Sequence, residues 1–85
     1  MASMKSISNA FGLAVRRRRE ALKISQEELA DQAAVHRTYI SSIENGKVSV
    51  GVVVAEKISD ALSVPLSELI ADTEAIQGKK HMRQK

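Results

Sequence analysis

The stretch ISQEELADQAAVHRTYISSIENGK, residues 24–47, carries the signals of two short helices set almost end to end. Ser25 followed by Gln26, Glu27 and Glu28 marks a helix start. The serine hydroxyl can accept a free backbone N–H, Glu28 stands three residues on as a capping box requires, and acids suit the positive end of a helix. Leu29, Ala30 and Ala33 then form a short apolar stripe. Ala34 and Val35 separate it from another polar turn, so a further helix starts near His36, with Ile40, Ile43 and Glu44 on one face. Asn45-Gly46 closes it, Gly46 being free to turn left-handed. At about 100° per residue, Thr38 and Ser42 point away from Ile40 and Ile43, flanked by Ser41 and Asn45.

Helical spacing continues outward from this stretch. Upstream, Ile7, Phe11, Val15 and Leu22 share a face at spacings of four and seven, and Arg18 interrupts it with a stem that can lie along the core edge. Downstream, Val48, Val50 and Val52 alternate like a strand, while Val52, Ala55, Ile58 and Leu62 repeat like a helix. The helix over residues 51–62 is the better reading, because a lone strand would leave its backbone without partners. SVPLSELIA, residues 63–71, predicts a turn and a last helix with Pro65 in its first turn. The apolar pattern fades beyond Thr73. The expected organisation is an N-terminal arm over residues 1–6, one helical domain over residues 7–72 and a mobile basic tail over residues 73–85.

Composition restricts the chemistry. A chain of 85 residues builds one small core, which gains much from a partner subunit. It has no cysteine, and His36 and His81 are far apart, so neither a disulfide framework nor a metal site is expected. No Ser-His-acid spacing, glycine-rich phosphate loop or paired metal ligands are present, which argues against an enzyme and against a cofactor. No membrane span or signal peptide is visible, and the cytoplasm is the expected location. The net charge of +3 conceals a segregation: residues 1–25 carry +5, residues 26–34 carry −3, residues 35–47 carry +1, residues 48–77 carry −4 and residues 78–85 carry +4. Such an order can give the fold a basic side and an acidic side.

Five short helices with a tight three-residue connection between the second and third predict a helix-turn-helix, the unit that lays its second helix in the DNA major groove. Residues 24–47, together with DALSVPLSELI at residues 60–70, resemble the phage-repressor and Cro-type (Xre family) regulators. Within that family HRTYISSIENG, residues 36–46, is similar to the controller proteins of restriction-modification systems. The chain departs from the family pattern at Lys23, where a glycine usually closes the first helix, and at Gly51, where a Ser or Thr cap is common. The resemblance implies an all-α, five-helix, lambda-repressor-like domain acting as a homodimeric transcription regulator. Its recognition helix, about residues 36–45, would enter the major groove of a palindromic operator.

The candidate contacts divide by chemistry. Arg37, in the first turn of the recognition helix, projects toward base edges, where its planar fork suits guanine O6 and N7; a phosphate contact or a solvated side chain is its alternative. The resemblance implies base contact for Arg37, Thr38 and Ser42, and backbone contact for Gln26, Asn45 and Lys47. The N-terminus of the second helix presents free N–H groups to a phosphate beside Gln26. His36 is read as a helix cap or a phosphate contact, and Ser41 as a backbone contact. Tyr39 either donates to phosphate or packs on the second helix. Arg16 or Arg17 can approach phosphate. Arg19, at the position where phage-type domains carry an arginine, is expected to pair with Glu44. Leu66 and Ile70, four apart on the last helix, are candidates for a dimer patch, with Leu69 facing the core. Such regulators can also meet RNA polymerase, and antitoxins that neutralise a toxin protein use this same domain. The short stretch after Asp72 holds no long toxin-wrapping segment.

Overall fold

Ser25 caps α2 (Gln26–Ala33) as its position predicts: its Oγ accepts the Glu28 N–H at 3.0 Å, and its own N–H donates to Glu28 Oε1 at 2.8 Å. The computed structural model describes residues 6–79, in which this helix is joined by α1 (Ile7–Ala21), α3 (Arg37–Glu44), α4 (Val52–Ala61) and α5 (Leu66–Ile76), with no strand among the described residues. Of the valine-rich stretch, the part from Val52 onward is therefore a helix, while Val48 and Val50 lie in the irregular connection before it. Gly51 is the N-cap of α4 and supplies no side-chain cap.

The core gathers one face from each helix. Phe11, Ala14 and Val15 of α1 meet Leu29, Ala30 and Ala33 of α2, Ile40 and Ile43 of α3, Ala55 and Ile58 of α4, and Leu69 of α5. Ile7 and Leu22, expected on the same buried face as Phe11 and Val15, are instead 56% and 48% exposed. They stand at the two ends of α1, Ile7 as its first residue and Leu22 as its C-cap. Periodicity predicts a face, but burial also needs a neighbour alongside.

The last helix is longer than its apolar pattern suggests, and the domain boundary moves past residue 72. Thr73 is fully buried because its Oγ1 donates to the Leu69 carbonyl at 2.8 Å, which satisfies the hydroxyl within the helix. Ile76 packs against the core, and Gln77 is buried as the C-cap. Residues 73–77 thus belong to the folded body. Pro65 is the N-cap of α5, one position before the expected first turn. At the other end Ser6 caps α1, its Oγ accepting from Asn9 N at 3.1 Å, so Ser6 also belongs to the domain. The rest of the expected arm, residues 1–5, and of the tail, residues 80–85, lies outside the described residues.

Two arginines clamp α1 to its neighbours. Arg18 does more than lay its stem along the core edge: its Nε meets Asp72 Oδ2 at 2.7 Å and its Nη2 meets Glu68 Oε2 at 3.1 Å, tying α1 to α5. Arg19 turns to the other side. Its Nε donates to Glu44 Oε2 at 2.7 Å, its Nη2 to Glu44 Oε1 at 3.0 Å and its Nη1 to the Ile24 carbonyl at 2.9 Å. The pair is shielded, with side chains 12% and 2% exposed. The hydrogen bonds to Glu44 hold the Arg19 guanidinium above its ordinary pKa, against the opposing effect of burial.

Three helix ends turn left-handed without glycine, at Lys23 (φ 61°), Ala34 (φ 58°) and Ser63 (φ 62°). A residue with a Cβ is strained there by roughly 1–2 kcal/mol. Replacing Lys23 by glycine relieves that strain, partly offset by the greater freedom of glycine in the unfolded chain. Lys23→Gly should raise the thermal midpoint followed by circular dichroism by a few degrees, since about 1 kcal/mol corresponds to roughly 4–8 °C in a domain of this size. A lowered midpoint would show that the lysine is not strained. Glu44→Ala strands the shielded guanidinium of Arg19 and should cost roughly 3–5 kcal/mol. Replacing both partners by apolar residues, Arg19→Met with Glu44→Leu, should recover most of that loss in a chemical denaturation series. An unaltered unfolding curve for Glu44→Ala would refute the ion pair.

Candidate nucleic-acid interface

The face of α3 opposite Ile40 and Ile43 is polar. Arg37 and Thr38 are exposed in its first turn, Ser41 and Ser42 are half-buried along it, and Asn45 and Lys47 are exposed just beyond its end. Only residues 34–36 separate α2 from α3, and the left-handed backbone at Ala34 makes so short a connection possible. The turn brings the N-terminus of α2 beside the front of α3, where Gln26, Arg37, Thr38 and Ser41 line one cleft. A phosphate in that cleft would meet the positive end of a helix, a guanidinium and hydroxyl donors together.

Gln26 is not free to swing. Its Nε2 donates to Glu44 Oε1 at 3.0 Å, so the carboxylate that anchors Arg19 also holds the side chain at the mouth of the cleft. The α3 end of this arrangement rests on α1. A Cβ at Gly12 would fall on the Ile43 carbonyl, and one at Gly46, whose φ is +71°, would fall on the Asn9 side chain. Glycine at both positions lets α1 lie directly against the last turn of α3. The sequence reading identified Gly46 as a helix end but missed Gly12 and Asn9. The available signal was a glycine inside an otherwise strongly helical segment.

Other candidates are placed differently from expectation. His36 occupies the N-cap position of α3 but makes no side-chain capping hydrogen bond, so the cap reading fails and its exposed ring remains beside the cleft-forming turn. Tyr39 is half-buried and packs against the core cluster. Arg17 does not join the α3 face: it lines a groove between α1 and α5 with Ala21, Asp72 and Ile76. Successive residues on a helix diverge by about 100°, so with Arg18 turned to α5 and Arg19 to α3, Arg17 is directed away from α3. Arg16 pairs with Glu20 on the exposed surface at 3.1 Å. Leu66 and Ile70 are half-buried and line an apolar groove with Ile7, Phe11, Val50 and Val52, while Leu69 is fully buried beneath them. Among the described residues no cluster of His, Cys, Asp and Glu has the makings of a metal site, and no helix is long and apolar enough to cross a membrane.

The helix-turn-helix family model matches residues 15–69, which include α2, the turn, α3 and α4. The control protein C.MunI of Mycoplasma sp is 47% identical over 72 residues, covering 84% of this chain and 97% of that protein. The control protein C.BamHI of Bacillus amyloliquefaciens is 46% identical over 61 residues, 71% of this chain and 75% of that one. The crystal structure of the restriction-modification controller protein C.AhdI from Aeromonas hydrophila superposes with a TM-score of 0.70 at 34% identity, covering 72% of this chain and 92% of that one. With the family model matching residues 15–69 and C.MunI matched over 97% of its length, the chain belongs to the helix-turn-helix family of DNA-binding transcription regulators, which are not enzymes, and within it is similar to the restriction-modification control proteins.

Proposed function

We propose that this protein regulates transcription in a restriction-modification system by binding a palindromic or near-palindromic operator as a homodimer, each subunit laying α3 in the major groove. The observation that carries the reading is the single polar surface made by Gln26, Arg37, Thr38 and Ser41 across the turn, continued by Ser42, Asn45 and Lys47. Arg37, Thr38 and Ser42 are the base-reading residues in this proposal, and Arg37 alone among them has a two-pronged donor matched to guanine. Gln26, His36, Ser41, Asn45 and Lys47 meet the sugar-phosphate backbone. The packing of Tyr39 restricts it to supporting the helix, with at most its hydroxyl reaching phosphate. Relatives named as control proteins favour this setting, and no observation favours the antitoxin reading.

The dimer contact is the groove around Leu66 and Ile70. Its exposed rim includes Val52, 75% exposed, and the domain's small core leaves this apolar surface uncovered within one subunit. An isologous contact there repeats the same patch on both copies, and the two recognition helices must then lie about 34 Å apart to meet successive major grooves.

The operator can be obtained by selection from a random duplex library. On that site Arg37→Ala should lose about 1–3 kcal/mol, and much less on a variant whose contacted guanine is replaced. Lys47→Ala should weaken selected and scrambled DNA alike and reduce the salt slope by about one. Equal losses for Arg37→Ala on both DNAs would confine Arg37 to positioning and pass sequence reading to Thr38, Ser42 or DNA shape. Sedimentation equilibrium at tens of micromolar protein should report a dimer that Ile70→Asp dissociates. A monomer both free and on DNA contradicts the homodimer.

A further inference from the structure

We propose that Glu44 is a positioning residue for DNA binding, acting through Gln26: the buried carboxylate takes one amide hydrogen inward and leaves the other for a phosphate oxygen. The inference rests on the reading of Gln26 as a backbone contact. A glutamine side chain has two chemically opposite ends, an acceptor oxygen and a nitrogen with two donors, and its long stem samples many rotamers. A phosphate accepts only. If the amide turned freely, its oxygen would face the phosphate in part of the population, and ordering it would oppose binding.

Glu44 removes both problems. Ionised, it accepts only, so the amide end at Oε1, 3.0 Å away, must be the nitrogen. That assigns the donor end of Gln26 without reference to DNA. The carboxylate does not repel the incoming phosphate at full charge, because Arg19 faces it with two hydrogen bonds, at 2.7 and 3.0 Å. Gln26 also lines the cleft with Arg37, Thr38 and Ser41, so the fixed amide is at the surface that α3 presents. One carboxylate, its side chain 2% exposed, therefore joins the clamp between α1 and α3 to a contact at the N-terminus of α2.

A mutant cycle on a random-sequence duplex tests this, at several salt concentrations and with folding followed by circular dichroism. Gln26→Ala should weaken binding about tenfold, as loss of a hydrogen bond to a charged group does, while leaving the salt slope unchanged because a neutral amide releases no counterion. The paired replacement Arg19→Met with Glu44→Leu should weaken binding several-fold in the presence of Gln26 and have no further effect once Gln26 is alanine. Losses that multiply would show that Glu44 acts by placing α3 as a whole, and would overturn the proposal. An unaltered affinity for Gln26→Ala would instead remove Gln26 from the DNA contact, and the proposal with it. Nuclear magnetic resonance of the unmodified chain decides the matter independently of whether the paired variant folds. The side-chain amide proton of Gln26 directed at Glu44 should be shifted downfield and exchange with solvent more slowly than either amide proton of the exposed Gln32. Gln26 protons that behave like those of Gln32 would overturn the assignment.

Discussion

Glu44 is the last residue of α3 and, among the described residues, the one charged group hidden almost completely. A carboxylate in such a place is strongly unfavourable unless it is paired and hydrogen-bonded, and here it accepts from Arg19 twice and from Gln26 once. These bonds can form only if α3 is rotated so that Glu44 lies with Ile40 and Ile43. The same rotation turns Thr38 and Ser42 outward. Arg19 extends the constraint, because its remaining hydrogen bond goes to the Ile24 carbonyl, immediately before the cap of α2. The buried carboxylate thus joins α3 to α1 and to the start of the turn motif. An ion pair of this kind contributes little net stability compared with an apolar replacement of the same volume, so its value here lies in direction.

Depth and tilt are set by a different interaction. The carbonyls at the end of α3 press on α1 at Gly12, and the left-handed turn at Gly46 lies on Asn9, one helical turn earlier. Backbone against backbone leaves little room for adjustment. With Arg18 holding the opposite side of α1 to Glu68 and Asp72, the first helix becomes a rigid bar between the α3 face and the α5 face. In a homodimer built on Leu66 and Ile70, that bar would transmit the position of the dimer contact to the two recognition helices.

Much of this was legible in the sequence because it rests on local rules. The Ser25 to Glu28 box, the glycine stop at residue 46 and the 3.6-residue spacing of Ile40, Ile43 and Glu44 each follow from backbone hydrogen bonding and periodicity. Where the reading went astray, burial depended on what lies opposite. Ile7 and Leu22 obey the period of α1 but extend beyond the helices that cover it. Thr73 and Gln77 look like tail residues until α5 is seen to run on under the core, with the Thr73 hydroxyl satisfied by its own helix. Arg17 was grouped with its basic neighbours, and only the directions taken by Arg18 and Arg19 show that it faces the α1–α5 groove. Gly12 carried almost no signal, since its role is a contact with a helix more than thirty residues away.

The central claim is that the rotation of α3 that turns Ile40, Ile43 and Glu44 inward presents one surface, from Gln26 across the turn to Lys47, to DNA. Chemical-shift mapping of the isotope-labelled chain during titration with a selected operator duplex tests it residue by residue. The account predicts the largest changes at Gln26, Arg37, Thr38, Ser42 and Lys47, with Ile40, Ile43 and the α1–α5 groove little affected. Changes concentrated around Arg17, Asp72 and Ile76, with the polar face of α3 unmoved, would contradict it.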